Sequence, residues 1–136
     1  MSYGVSKALQ GAVYEALSGD ETLAGLVGAH VFDAPPEGTV PDLYVSLGAE
    51  DAAARTDSSG SVTTHRLAVS VIGTVAGFGQ LKAAAGAVSD RLDGAGLVLE
   101  RGRLLALDFR RARARRIDGN RGRRIDMWFR AIVEDS

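Results

Sequence analysis

The chain has 136 residues at 14.2 kDa, suited to one domain spanning 1–136, and its lack of Cys excludes disulfide scaffolds, thiolate metal sites and cysteine nucleophiles. No apolar run approaches the roughly 20 residues that cross a bilayer, and the start MSYGVSKALQ lacks a signal pattern, so a soluble protein of cytoplasmic origin is expected. The net charge of −1 hides a polarity: residues 1–100 hold five basic and 12 acidic side chains (−7), whereas 101–136 hold 11 Arg and five acidic (+6).

From about Tyr3 to Leu17, Val5, Ala8, Leu9, Ala12, Val13, Ala16 and Leu17 recur at the three-and-four spacing of a helical stripe. Gly19 stops that helix. Asp20 is suited to cap a second, short helix with Leu23, Leu26 and Val27 as its apolar face and Gly28 as its end. Pro35, Pro36, Gly38 and Pro41 make the next stretch irregular, with at most a short strand at Val31–Phe32.

Leu43, Val45 and Leu47 alternate with polar neighbours, as in a strand. Residues 48–62 (GAEDAAARTDSSGSV) hold almost nothing large and apolar, so a long mobile loop is expected. The alternation resumes from Thr64 to Ile72, with Leu67, Val69 and Val71 on one face and antiparallel pairing to the preceding strand. Phe78, Leu81, Ala85, Val88 and Leu92 mark a third helix over about Gly77–Leu92, ended at Asp93 and Gly94. Strands at Leu97–Leu99, from Leu104 to about Arg116, and over Arg123–Val133 complete the chain. The fold class is α+β: a mixed, mostly antiparallel sheet of about four to six strands, two main helices on one face, a long loop and a projecting C-terminal hairpin.

In that hairpin Leu105, Leu107 and Phe109 precede Arg111, Arg113 and Arg115 at the same parity, so an unbroken strand turns its apolar face into an Arg face. Ile125, Met127, Phe129, Ala131 and Val133 share one face of the partner strand. Pairing both odd sets on one side requires a turn of odd length, three or five residues, with positive φ at Gly119 and Asn120.

Signatures of catalysis are poor. His30 and His65 stand far apart without ligand spacing, which leaves surface or loop-packing roles. Gly77-Phe78-Gly79 opens a helix, but Lys82 stands where a dinucleotide fingerprint needs its third glycine. Ser58, Ser59 and Ser61 lie on no nucleophile elbow, and Asp20-Glu21, Glu50-Asp51 and Glu134-Asp135 read as capping or solvated charges. No enzyme activity, metal or cofactor is expected.

Arg110, Arg111, Arg113, Arg115, Arg116, Arg121, Arg123 and Arg124 crowd the hairpin, and like charges on paired strands repel. A counter-charge is needed. DNA phosphate fits, and so does the acidic N-terminal part of a neighbouring copy. No aromatic residue lies between these Arg residues, which disfavours base stacking. Trp128 points away from Met127 and Phe129, where it suits an interface, a second core or ordinary packing.

The order of segments carries a resemblance. SKALQGAVYEALSGDETLAGLVG leads into VFDAPPEGTVPDLYVSLG, then THRLAVSVIG, GFGQLKAAAGAVSDRL and the closing FRRARARRIDGNRGRRIDMWFRAIVED. Over nearly its whole length the chain resembles the tail terminator, or tail-completion, family of siphophage-like prophages and gene transfer agents, most of all the gene transfer agent members. The resemblance implies a structural virion protein, assembled in the bacterial cytoplasm and located at the head–tail junction. Six copies would form a ring on the head-proximal end of the tail tube, stop its polymerisation and meet the head-side connector, with double-stranded DNA passing through the lumen. It implies a mixed sheet with helices on one side, no catalytic residues, no cofactor, no membrane and no small-molecule substrate. The eight Arg residues are then candidates for contacts with a neighbouring subunit, the tube protein or, for a minority, DNA. The alternative is a non-specific nucleic-acid-binding protein using the same hairpin, with steep salt dependence.

Overall fold

The computed structural model describes residues 3–34, 36–55, 61–74 and 77–135. Helix α1 (Ser6–Ser18) buries Leu9, Val13, Ala16 and Leu17, the stripe its spacing predicts. Asp20 caps α2 (Glu21–Val27), its Oδ2 accepting from the Leu23 N–H at 2.9 Å, and Gly28 ends the helix at φ +63°. Leu23 and Val27 are buried, but Leu26 is left exposed because a helix of seven residues buries only a narrow stripe.

Strands β1 (Val31–Phe32), β2 (Leu43–Ala54) and β3 (Val62–Gly73) are followed by α3 (Gly79–Leu92) and then by β4 (Arg103–Ile117) and β5 (Gly122–Glu134). They form an open five-stranded sheet in the order β1-β2-β3-β5-β4, with β1 parallel to β2 and every other pair antiparallel. The α+β expectation holds. Val45, Val69, Val71, Leu107 and the inward residues of β5, from Ile125 to Val133, make a core with the apolar stripes of α1, α2 and α3.

Two expectations fail. The stretch expected to be a long loop is mostly strand: β2 runs on to Ala54, and β3 begins at Val62. After a register shift between Leu47 and Glu50, residues 50–54 pair with 67–63. Backbone pairing stabilises this extension where side chains bury little, and Ala52 and Ala54 leave room opposite the buried His65 and Thr63. Residues 56–60 of that expected loop, including Ser58 and Ser59, lie outside the described residues. The strand expected at Leu97–Leu99 is absent; this irregular segment instead lays Leu99 into the core. Just before it, the Gly94 N–H bonds to the Leu107 carbonyl at 2.7 Å, tying the connection to the edge of β4.

Candidate functional site

The faces of β4 are set by two β-bulges. One, between Leu104 and Ala106, leaves Leu105 unpaired and 45% exposed instead of on the core face. The second, between Phe109 and Arg111, leaves Arg110 unpaired. Each extra residue exchanges the two faces of the strand. Leu107 and Phe109 therefore face the helices, opposite Ala131 and Phe129, while Arg111, Arg113 and Arg115 turn to the outer face, opposite Trp128, Asp126 and Arg124. The predicted continuation of the apolar face into Arg111, Arg113 and Arg115 is thus overturned. So is the odd turn: four residues, 118–121, separate the paired Ile117 and Gly122. Gly119 and Asn120 do take positive φ, joined by Asp118. On β4 every residue from Phe109 to Arg116 is exposed, and it is β5 that carries the core further, burying Met127 and Ile125 opposite Ala112 and Ala114. The Phe109 N–H at the second bulge donates to Asp93 Oδ1 at 2.9 Å, so the residue ending α3 satisfies an amide on the edge of β4.

On the outer face, which no helix among the described residues covers, the Trp128 ring has the guanidinium of Arg111 at 4.7 Å and that of Arg66 at 6.0 Å from its centroid. Asp126 accepts from Ser70 Oγ at 2.6 Å and from Arg124 Nε at 2.7 Å, with Arg115 Nε at 3.6 Å. Burial raises the Asp126 carboxyl, but the Ser70 and Arg124 hydrogen bonds and the charges of Arg124 and Arg115 hold it below its ordinary 3.8. These partners relieve much of the repulsion expected of the cluster. On the other side, Arg116 and Arg123 lie 6.0 and 5.5 Å from the centroid of Phe78, at the start of α3. Arg121 donates to the Asp118 carbonyl at the turn. Arg110 and Arg113, both exposed, meet no carboxylate or ring among the described residues. The eight candidates are therefore divided between two faces, a bulge and a turn.

A second polar cluster departs from the expectation of solvated charges and surface histidines. His65 is fully buried, its Nε2 2.9 Å from Thr63 Oγ1 and its Nδ1 3.1 Å from Glu50 Oε2. Glu50 also accepts from the hydroxyls of Tyr3 and Ser6. It is thus no solvated loop charge, and His65 is no surface residue. Burial alone would raise the Glu50 carboxyl; hydrogen bonds from Tyr3, Ser6 and His65 bring it below 4.5 instead. The signal was the alternation Thr63, His65, Leu67, Val69, which puts His65 on the inward face once β3 is extended. At the same end of the sheet, Glu134 pairs with Arg103 at 2.9 Å and Asp135 with Arg101 at 2.8 Å. His30 stacks on Phe32 with ring centroids 6.2 Å apart. Among the described residues no group of three or more His, Asp or Glu is placed to hold a metal, and no helix is long and apolar enough to cross a membrane.

An open groove of about 650 Å³ lies against the solvent side of α1, lined by Tyr3, Tyr14, Glu15, Asp33, Val98 and Glu100 among others. The sequence pattern of the tail completion protein gp17 family matches residues 11–134, from the middle of α1 to the end of β5. The chain belongs to that family. The tail-completion chain is also similar to a solved chain from the virion of a native gene transfer agent particle, with 54% identity, a TM-score of 0.91, and coverage of 98% of this chain and 99% of that one. Comparison with curated protein sequences gave no match. Membership makes the surfaces of the tail-completion fold, more than any pocket chemistry, the place to look for its work.

Proposed function

We propose that the protein is the tail terminator of a particle of the gene transfer agent kind. Six copies form a ring at the head-proximal end of the tail tube, halt its polymerisation and join the tail to the head-side connector, with double-stranded DNA passing through the lumen. The family match, together with 54% identity to a chain of a gene transfer agent virion, carries this reading. The fold is consistent with a structural role. It offers an uncovered sheet face bearing Trp128 and paired Arg residues, the mixture of aromatic and guanidinium groups favoured at protein contacts. Arg111, Arg115 and Arg124 already have ring or carboxylate partners, which suits contacts with protein. A lumen rich in unpaired Arg would hold phosphate too firmly for DNA to pass. Most of the cluster therefore serves subunit or tube contacts, and a minority faces DNA.

Electron microscopy of particles from cells lacking the gene tests the assignment. The expected result is tubes of uncontrolled length unattached to filled heads. Tails of normal length joined to heads would remove it, and the Arg hairpin would then be assayed for salt-dependent DNA binding.

A further inference from the structure

The helix layer carries unpaired carboxylates, and the hairpin carries unpaired guanidinium groups. Glu15, Asp33 and Glu100 line the groove beside α1, and none has an ion-pair partner among the described residues. Two phenol rings share the groove, Tyr3 at 65% and Tyr14 at 38% exposure, with Val98 at 92%. Carboxylates beside exposed aromatic faces are the chemistry that receives guanidinium groups, through charge-assisted hydrogen bonds and cation–π stacking. Lys7 is the cation in the lining, Arg91 shares an adjoining hollow with Glu15, and Arg101, against Gly4, is paired with Asp135, so the three carboxylates still outnumber Lys7 and Arg91.

Among the described residues, neither Arg110 nor Arg113 pairs with a groove carboxylate within one molecule. Leu9, Val13, Ala16 and Leu17 turn the inner side of α1 to the sheet, so the groove opens away from it. Arg113 projects from the face of the sheet opposite those helices, across from Asp126, and Arg110 stands unpaired at the neighbouring bulge. Two complementary surfaces on opposite layers of one chain meet only between copies, head to tail, and repetition of such a contact closes a ring when its rotation allows.

Resting on the terminator reading, we infer that the groove beside α1 receives the Arg110–Arg113 stretch of β4 from the adjacent copy in the ring. Glu15 and Glu100 face those two guanidinium groups, and Tyr14 flanks them. The occupant is a second copy of this chain; the tube protein is the competing occupant that the test separates.

The test is charge exchange in a strain lacking the gene, complemented with variants and scored by electron microscopy for tails joined to heads. Wild type restores joined tails. Glu15→Arg with Glu100→Arg, and separately Arg110→Glu with Arg113→Glu, should each reduce joined particles at least tenfold. Combining all four substitutions should recover most of them, because the exchanged charges again face each other. All these residues are exposed, and matching thermal melts of the purified variants show that any loss is not one of folding. Variants that still join tails would overturn the contact. So would defective variants that the combination does not rescue, the pattern expected if the tube protein occupies either surface. Both results leave the terminator reading standing, whereas normal joined tails in the uncomplemented strain would remove that reading and this contact together.

Discussion

Glu50 shows how one side chain carries more than its neighbourhood in sequence suggests. Surrounded by Gly, Ala and Asp, it nevertheless joins the N-terminal Tyr3 and Ser6 to the buried His65. Glu50→Ala leaves the buried Nδ1 of His65 without that partner and should cost about 1–3 kcal/mol in urea unfolding. Its carboxyl is held below 4.5 in the folded chain, so the stabilisation is present above that value and lost as pH falls through the lower folded value. Asp126, held below 3.8, acts in the same direction. Thermal stability should therefore drop on acidification below about pH 4.5, and less steeply in Glu50→Gln. Gly102 is the other residue with a definite requirement. It has φ +77°, and an added Cβ would lie 2.7 Å from the Glu134 carbonyl oxygen and 2.9 Å from Val5 Cγ1. Gly102→Ala should destabilise by at least about 1–3 kcal/mol, measured by the same unfolding curve.

At the scale of elements, β5 is the member most completely determined by its own pattern. It sits between β3 and β4, and each inward residue from Ile125 to Val133 is buried. Phe129→Ala, which empties a fully buried site, should cost about 3–5 kcal/mol. Trp128→Ala, one residue along but on the outer face, should cost the free protein about 1 kcal/mol and weaken assembly more than folding. Chemical unfolding beside a tube-binding assay separates the two effects. The neighbouring β4 was far less legible. Its odd positions read as one face, yet the bulges at Leu105 and Arg110 each exchange the faces, so of that set only Leu107 and Phe109 turn inward, and no residue at 105 or 110 announces a bulge. The amide of the second bulge is answered by Asp93, sixteen positions earlier in the chain. A pattern read along one strand cannot contain that hydrogen bond.

For the molecule as a whole, the charge polarity underlies the proposed head-to-tail contact between copies. The chain has no Cys, so introduced thiols report unambiguously. Tyr14→Cys combined with Arg113→Cys, treated with a short bifunctional thiol reagent in assembled particles, should give a ladder of linked chains ending at six. A ladder of another length would revise the ring number, and unlinked monomers alone would argue against the head-to-tail contact. Raised salt before cross-linking should thin the ladder of any incompletely assembled rings, since exposed ion pairs are screened.

The sequence alone determined the three helices, the inward faces of β3 and β5 and the cap at Asp20. Each depends on periodicity or capping within a few residues, and local sterics and burial act over that range. It also carries the order of segments by which the family is legible. Tertiary structure decided what depends on partners distant in the chain. It extended β2 through an apolar-poor stretch by pairing it with β3, buried His65 beside Glu50, and moved Arg111, Arg113 and Arg115 to the outer face through a bulge held by Asp93. Those outcomes rest on hydrogen bonds between segments, whose free energy exists only once the segments have met.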